Sequence, residues 1–261
     1  MKSLQGKTAL VTGASSGLGA DFARQLAGRG CGLILAARRL DRLQALQAEL
    51  TVSYAVPVEC MAVDLLEADA PQKLYDQLQA RGQVVDVLVN NAGLGLYGEF
   101  ANTAWERTHQ MLEVDVLALT HLTRLFVAGM LERKSGYILN VASTGAFQPT
   151  PFYAAYAAAK SYVLSLSEAL HYELRHSGVT CTALCPGVTR TEFFDASGQQ
   201  ELTAYQKMTM MESSKVARIG LEAMFRGRSS VVAGGLNAFV AWSTRFLPTQ
   251  ALVASAARLM R

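Results

Sequence analysis

Tyr156 and Lys160 stand four residues apart in the alanine-rich run Tyr156-Ala157-Ala158-Ala159-Lys160. Residues at that spacing share one helix face, so a phenol and an ammonium point the same way. A free phenol titrates at about 10. A neighbouring positive charge stabilises the phenolate and lowers that value, which suits the pair to giving and taking a proton near neutrality. Taken alone, such a pair is equally a core tyrosine beside a surface lysine. Ser143 lies thirteen residues upstream of the tyrosine at the end of an apolar run, where its hydroxyl can hydrogen-bond a carbonyl oxygen.

A second set of residues suits a nucleotide. Thr12-Gly13-Ala14-Ser15-Ser16-Gly17-Leu18-Gly19 follows one apolar run and opens a helical pattern. Glycine lets the backbone turn tightly and approach a pyrophosphate, which the helix N-terminus then meets with free N–H groups. Gly13, Ser15, Ser16, Gly17, Leu18 and Gly19 are the expected contacts. A carboxylate about 20 residues further on would bind the 2′-OH of NAD; Ala36-Ala37-Arg38-Arg39 stands there instead. An arginine fork suits a 2′-phosphate, so Arg38 above all, with Arg39 beside it, points to NADP(H). Both are otherwise surface residues at a helix start. Asp64, followed by Leu65, is placed to accept from the adenine amino group or to cap the next helix. Asn91, Ala92 and Gly93, after Asn90, put amides and small residues where a ribose must pass.

These residues need a frame that gathers them. Thr8–Thr12, Cys31–Ala37, Val56–Val63, Val85–Asn90, Tyr137–Ala142 and Val179–Cys185 read as strands, mostly apolar throughout rather than alternating, as in a parallel sheet covered on both faces. Helical patterns lie between them, near Leu18–Arg29, Arg39–Leu50, Ala70–Arg81, Ala104–Glu132 and Phe152–His176. The alternation predicts an α/β fold, a doubly wound, Rossmann-like parallel sheet in a single domain. Each marked string then ends a strand, at the sheet edge where ligands of such folds gather. A polar segment at about 189–212, carrying Phe193, Phe194, Tyr205, Met208, Met210 and Met211, reads as a lid or a packed loop. Ser213–Arg226 is helical in pattern and Ser230–Ala233 strand-like. The tail at about 236–261 reads as two amphipathic helices broken at Pro248.

With these strings in place, the sequence resembles the short-chain dehydrogenase/reductase family in its single-domain subgroup. T-G-x-x-x-G-x-G falls at Thr12–Gly19, N-N-A-G at Asn90–Gly93, the serine at Ser143, Y-x-x-x-K at Tyr156–Lys160 and P-G-x-x-x-T at Pro186–Thr191, over roughly residues 5–195. The resemblance implies hydride transfer at the nicotinamide C4, with Tyr156 exchanging a proton with the substrate oxygen. It also implies that Lys160 lowers the Tyr156 pKa and holds the nicotinamide ribose, and that Ser143 orients the carbonyl. Pro186, Gly187 and Val188 would line the nicotinamide, with Thr191 near its carboxamide. One departure stands out. Asp115 occupies a position where the family usually has an asparagine that bends its helix and helps hold a water linked to the lysine. A carboxylate there would raise the Lys160 pKa; being nearly isosteric, it is expected to be tolerated.

Leu96, Ala146, Phe147, Tyr153, Phe193 and Met208 are the expected pocket residues, favouring a hydrophobic ketone or secondary alcohol. Acyl-chain and steroid reductases share the motifs; a binding protein that has lost turnover would not need the intact Ser143–Tyr156–Lys160 set. With 51% hydrophobic and 17% charged residues the chain is not disordered, and a net charge of +3 without a basic stripe does not suit nucleic acid. Cys31, Cys60, Cys181 and Cys185 form no C-x-x-C pair, and with no leader-like N-terminus a reducing, cytoplasmic setting is expected. No run of about 18 apolar residues to span a bilayer is read. The tail holds too few basic residues to be read as a membrane anchor. The four histidines lack metal-site spacing, so no metal is expected. The helices at 104–132 and 152–174 are apolar on most faces, and in the family they form a dimer interface; a homodimer or homotetramer is expected.

Overall fold

The computed structural model describes residues 3–199, 201 and 203–259. The expected apolar runs form β1 (Thr8–Thr12), β2 (Gly32–Ala37), β3 (Val58–Ala62), β4 (Val87–Asn90), β5 (Gly136–Val141) and β6 (Val179–Cys185). The short strands β7 (Thr189–Arg190) and β8 (Met211–Glu212) pair with each other, and β9 (Ser230–Val232) joins the main sheet. The helices are α1 (Gly17–Ala27), α2 (Leu40–Tyr54), α3 (Ala70–Ala80), α4 (Trp105–Leu112), α5 (Leu119–Glu132), α6 (Ala154–Glu173), α7 (Phe193–Ser197), α8 (Ala204–Thr209), α9 (Ser213–Phe225), α10 (Gly235–Ser243) and α11 (Thr249–Leu259).

Seven parallel strands lie in the order β3-β2-β1-β4-β5-β6-β9. The strand core is mostly apolar because both faces are covered, with Asn90, Asn140 and Thr182 among the buried polar exceptions. Ala9, Val11, Leu33, Leu35, Val87 and Val89 point to the face packed by α1, α2 and α9. Their neighbours Leu10, Ile34 and Leu88 point to the face packed by α3 and α5. The chain winds outward from β1 to β3, then returns to place β4 beside β1. Such a reversal opens a crevice at the carboxyl ends of the strands.

Three expectations are corrected. The helical stretch 104–132 is not uniform: α4 passes through a π-helical segment, Glu113–Ala118, before α5 begins. This continuous helix, Trp105–Glu132, is also apolar enough by length and composition to span a bilayer, with a mean hydropathy of 1.5 in one 18-residue window. Scattered polar residues hide it from a search for unbroken apolar runs; half of that window is buried within the fold. The segment at 189–212 is folded into β7, α7, α8 and β8. Within it, Gln200, Leu202 and the Tyr205 side chain lie outside the described residues, as do Met260 and Arg261 of the tail. α10 and α11 flank Pro248 as expected.

Candidate active site

The glycine turn is built by contact with β4. Gly13 has φ +64°, and a Cβ there would sit 2.9 Å from the Ala92 Cα. Asn91 Nδ2 donates to the carbonyls of Thr12 (2.9 Å) and Gly13 (3.2 Å), while Thr12 Oγ1 accepts from the Asn91 and Ala92 amides, both at 3.0 Å. The first and fourth strand ends are thus stitched across the crevice. Gly19 serves packing: a Cβ there would strike the Gly13 carbonyl and lie 2.7 Å from Asn91 Nδ2. The Ser16 side chain makes no capping hydrogen bond to α1 among the described residues, so the first N–H groups and dipole of the helix are available to an anion.

At the end of β2, Arg39 reaches back over this turn. Its Nη2 donates to Ser16 Oγ (2.9 Å) and Ser15 Oγ (3.2 Å), and its Nη1 meets Glu192 Oε2 at 2.9 Å. Arg38 also lines the crevice but is exposed. Both arginines thus border the crevice as expected, and Arg39, where the chain turns into α2, is the one that bonds the glycine turn. Asp64 Oδ1 accepts from the Leu66 amide at 3.1 Å, and Asp64 and Leu65 both line the crevice.

The reacting groups converge further along. Ser143 ends β5 with extended backbone, its Oγ accepting from the Gly145 amide at 3.0 Å. Tyr156 lies in the first turn of α6, and Lys160 Nζ sits 5.6 Å from the centre of its ring. That ammonium donates to the Val141 carbonyl at 3.0 Å and lies 3.0 Å from Asp115 Oδ2. Asp115 is fully buried in the π-helical segment, and its Oδ1 accepts from the Leu94 amide at 2.6 Å. Its Oδ2 is close enough to Lys160 for an ion pair but is not aligned as a hydrogen bond. π turns are frequent at functional sites; this one places a carboxylate under the lysine.

A protein-family model for short chain dehydrogenases matches residues 7–202 of the 261. The chain belongs to the short-chain dehydrogenase family. A short chain dehydrogenase of Pseudocercospora fijiensis is 39% identical over 72% of this chain, which spans 62% of that relative's length. An uncharacterized oxidoreductase of Myxococcus xanthus is 32% identical over 99% of this chain and 100% of its own. A very-long-chain 3-oxoacyl-CoA reductase of Anas platyrhynchos is 29% identical over 95% of this chain and 78% of its own. Among solved structures, a short-chain dehydrogenase from Sphingobium yanoikuyae in complex with NADPH superposes with TM-score 0.82 at 30% identity, covering 94% of both chains. One from Burkholderia phymatum in complex with NAD also gives 0.82, at 27% identity, covering 93% of this chain and 94% of its own.

In this short-chain dehydrogenase the proton-bearing groups perturb one another. Burial pushes the Tyr156 phenol up; Lys160 and Ser143 pull it down, Asp115 pushes it up, and the net direction is upward. Lys160 lowers the phenol as expected, but desolvation of the phenolate outweighs that pull and sets the net direction. For Lys160, burial pulls down, but Asp115 and then Tyr156 overcome it and the net direction is upward. Burial raises the Asp115 carboxyl against the opposing pull of Lys160 and the Leu94 amide. Asp115→Asn removes a charge that raises Tyr156, so the phenolate forms at lower pH. Alcohol oxidation needs that phenolate, and the rising, acid-side limb of its pH profile is expected to move to lower pH. Turnover at each variant's optimum should stay within about tenfold, the weight of one unit of proton affinity. A gain beyond about a hundredfold would show that the native carboxylate cripples the site.

Beyond Tyr156 the crevice opens into a cavity, about 500 Å³ in all. Phe147, Tyr153 and Phe193 line it as expected. Leu96, Ala146 and Met208 are corrected: Leu96 is buried behind the wall against Met111 and Ala159, Ala146 packs into the core beneath α6, and Met208 is 71% exposed. The wall is completed by Phe194 of the expected lid and by residues the sequence reading missed, Gln206, Val240, Ala241, Ala256 and Leu259. The mixed small and large apolar residues of the tail were the available signal. Tyr153 donates to Gln199 Oε1 at 2.6 Å, and Gln199 donates to Gln206 Oε1 at 2.8 Å. This buried polar chain ties α6 to α8 across the cavity; burial pushes the Tyr153 phenol up to about 12.

Proposed function

We propose that this dehydrogenase interconverts a hydrophobic ketone and its secondary alcohol with NADP(H), Tyr156 being the proton donor and acceptor. The observation that carries the reading is the convergence of Ser143, Tyr156 and Lys160 on one wall of a largely apolar cavity that continues into the glycine-lined crevice. The crevice suits a dinucleotide in its own residues: positive-φ glycines at Gly13 and Gly17, an uncapped helix N-terminus, and an arginine over the turn.

In this reading Gly13 to Gly19 and the start of α1 hold the pyrophosphate, and Arg39 with Arg38 meets the 2′-phosphate. Asp64 and Leu65 flank the adenine; Asn91, Ala92, Gly93 and Lys160 flank the riboses. Pro186, Gly187, Val188 and Thr191 line the far end. When bound, the nicotinamide supplies or accepts the hydride. Ser143 donates to the substrate oxygen and fixes it beside Tyr156, which gives that oxygen a proton in reduction and takes it back in oxidation. Lys160, charged through its neighbour Asp115, favours the phenolate and steadies its formation. Phe147, Tyr153 and Phe193 exclude water and set the size of the substituents.

The likeness to 3-oxoacyl-CoA reductases supports a second reading, reduction of an acyl-chain ketone by the same residues. Both are tested by NADPH oxidation against aromatic ketones, aliphatic ketones and 3-oxoacyl thioesters. Tight NADPH binding without turnover on any of them would overturn both in favour of a non-catalytic nucleotide-binding protein. For the cofactor, Arg39→Ala is expected to weaken NADPH binding about 10- to 100-fold, the loss of one or two charge-assisted contacts, with NADH affinity within about twofold. Titration of cofactor fluorescence reads both. We further propose a homodimer or homotetramer built through the outer faces of the continuous helix Trp105–Glu132 and of α6, where Trp105 and Leu117 on the former and Tyr162 on the latter are exposed.

A further inference from the structure

The carboxylate of Glu192 stands between two guanidinium groups at the corner assigned above to the 2′-phosphate. Its Oε2 accepts from Arg39 Nη1 at 2.9 Å and its Oε1 from Arg42 Nη1 at 2.6 Å. Arg39 is fully engaged by this contact: its Nε and Nη2 donate to Ser15 Oγ and Nη2 to Ser16 Oγ, leaving Nη1 for the carboxylate. Glu192 does not belong to the β2–α2 corner that carries these arginines. It comes from the segment after Thr191 and immediately precedes α7. A single anionic group thus joins the 189–212 segment to the cationic corner. The next residue, Phe193, lays its ring 5.6 Å from that of Tyr156.

We propose that Glu192 is a cofactor-specificity residue, an internal stand-in for the 2′-phosphate that holds Arg39 and Arg42 until a phosphorylated cofactor displaces it. The inference rests on the NADP(H) reading above and adds a competitor to it. A 2′-phosphate brings acceptor oxygens and about two negative charges to the same donors. Carboxylate and phosphate repel one another there, so the carboxylate must give up its arginine contacts. A 2′-hydroxyl carries no such charge and leaves the pairing in place. Glu192 therefore weakens NADPH binding selectively. Its release also loosens the stretch leading to Phe193, so the identity of the cofactor is felt at the ring beside the reacting phenol. The pairs are about half exposed, which makes the effect modest and sensitive to salt.

The test compares Kd for NADPH and NADH in the wild type and Glu192→Gln, at low salt and at about 0.5 M salt. Expected is a 5- to 10-fold tighter NADPH complex in the variant at low salt, NADH within twofold, and a difference that shrinks at high salt. Amide hydrogen exchange gives a second reading. In the wild type, residues 193–197 should exchange faster with NADPH bound than with NADH bound, and Glu192→Gln should abolish that difference. Weaker NADPH binding in the variant, or equal changes for both cofactors, would overturn the role of Glu192 while leaving the NADP(H) reading intact. A wild type that binds NADH more tightly than NADPH, with Arg39→Ala neutral toward NADPH, would remove that reading and this inference together.

Discussion

Tyr156→Phe is expected to lower ketone reduction by about 10²- to 10⁴-fold, the contribution of a positioned proton donor, while the Kd for NADPH stays within about twofold. The substitution deletes one oxygen and keeps the ring. That ring packs against Tyr153 and Phe193, at 5.8 and 5.6 Å between centres, so the cavity wall survives. Lys160 keeps its Val141 and Asp115 contacts, neither of which passes through the phenol. Loss confined to turnover would assign the proton to Tyr156. Retention of more than about a tenth of the activity would falsify that role and shift attention to Ser143. Stopped-flow measurement of hydride transfer with saturating NADPH separates the chemical step from binding.

Lys160→Met is expected to damage both activity and folding. The activity loss follows from the phenol: without the ammonium, burial and Asp115 raise its pKa against the remaining pull of Ser143. The stability loss follows from Asp115, which has 0% exposure and Lys160 as the cation beside it. Removing one member of a buried ion pair costs about 3–5 kcal/mol, or roughly 6–20 °C in Tm for a chain of this size. The sign with pH is definite. The folded-state pKa of Asp115 already lies above its ordinary value, and loss of the cation lifts it further. A raised carboxyl keeps its proton in the folded state while the unfolded chain ionises above about pH 4. The deficit of the variant should thus be smallest near pH 4 and grow as pH rises toward the folded value. Asp115→Asn in the Lys160→Met background should restore most of the Tm without restoring turnover. A deficit that does not vary with pH would show that lost packing, not the stranded charge, sets the cost.

The strands were legible because a parallel sheet covered on both faces leaves mostly apolar runs, and Thr8–Thr12 and Val179–Cys185 have the expected limits. The glycine turn was legible because close approach to Ala92 admits little else at Gly13. The π-helical segment was not, since a widened turn changes hydrogen bonding but not residue type, and Glu113-Val114-Asp115-Val116 reads as ordinary helix. Arg38 and Arg39 could not be ranked by charge; the backbone direction at the start of α2 decides which one turns inward. The substrate wall was the least legible. Leu96 and Met208 have the same apolar character as Phe147 and Phe193, and only tertiary packing separates a wall from a core or from solvent. Glu192 was hidden for a related reason: its significance lies in two arginines about 150 positions away along the chain.

The π turn beneath Lys160 also governs what the chain tolerates in length. An α-helix advances about 100° per residue, whereas the wider turn at Glu113–Ala118 accommodates an additional residue before the ladder resumes. It therefore acts as a spacer between two helical frames, one facing Thr108 and Met111 inward, the other Leu122, Phe126 and Met130. Deleting a single residue there would let the helix close into regular winding and rotate one frame against the other by that angle. Either the apolar side of α5 would leave the sheet or Asp115 would leave the lysine. Exposed turns elsewhere absorb insertions and deletions freely, but here the reading frame of a helix is locked to the chemistry.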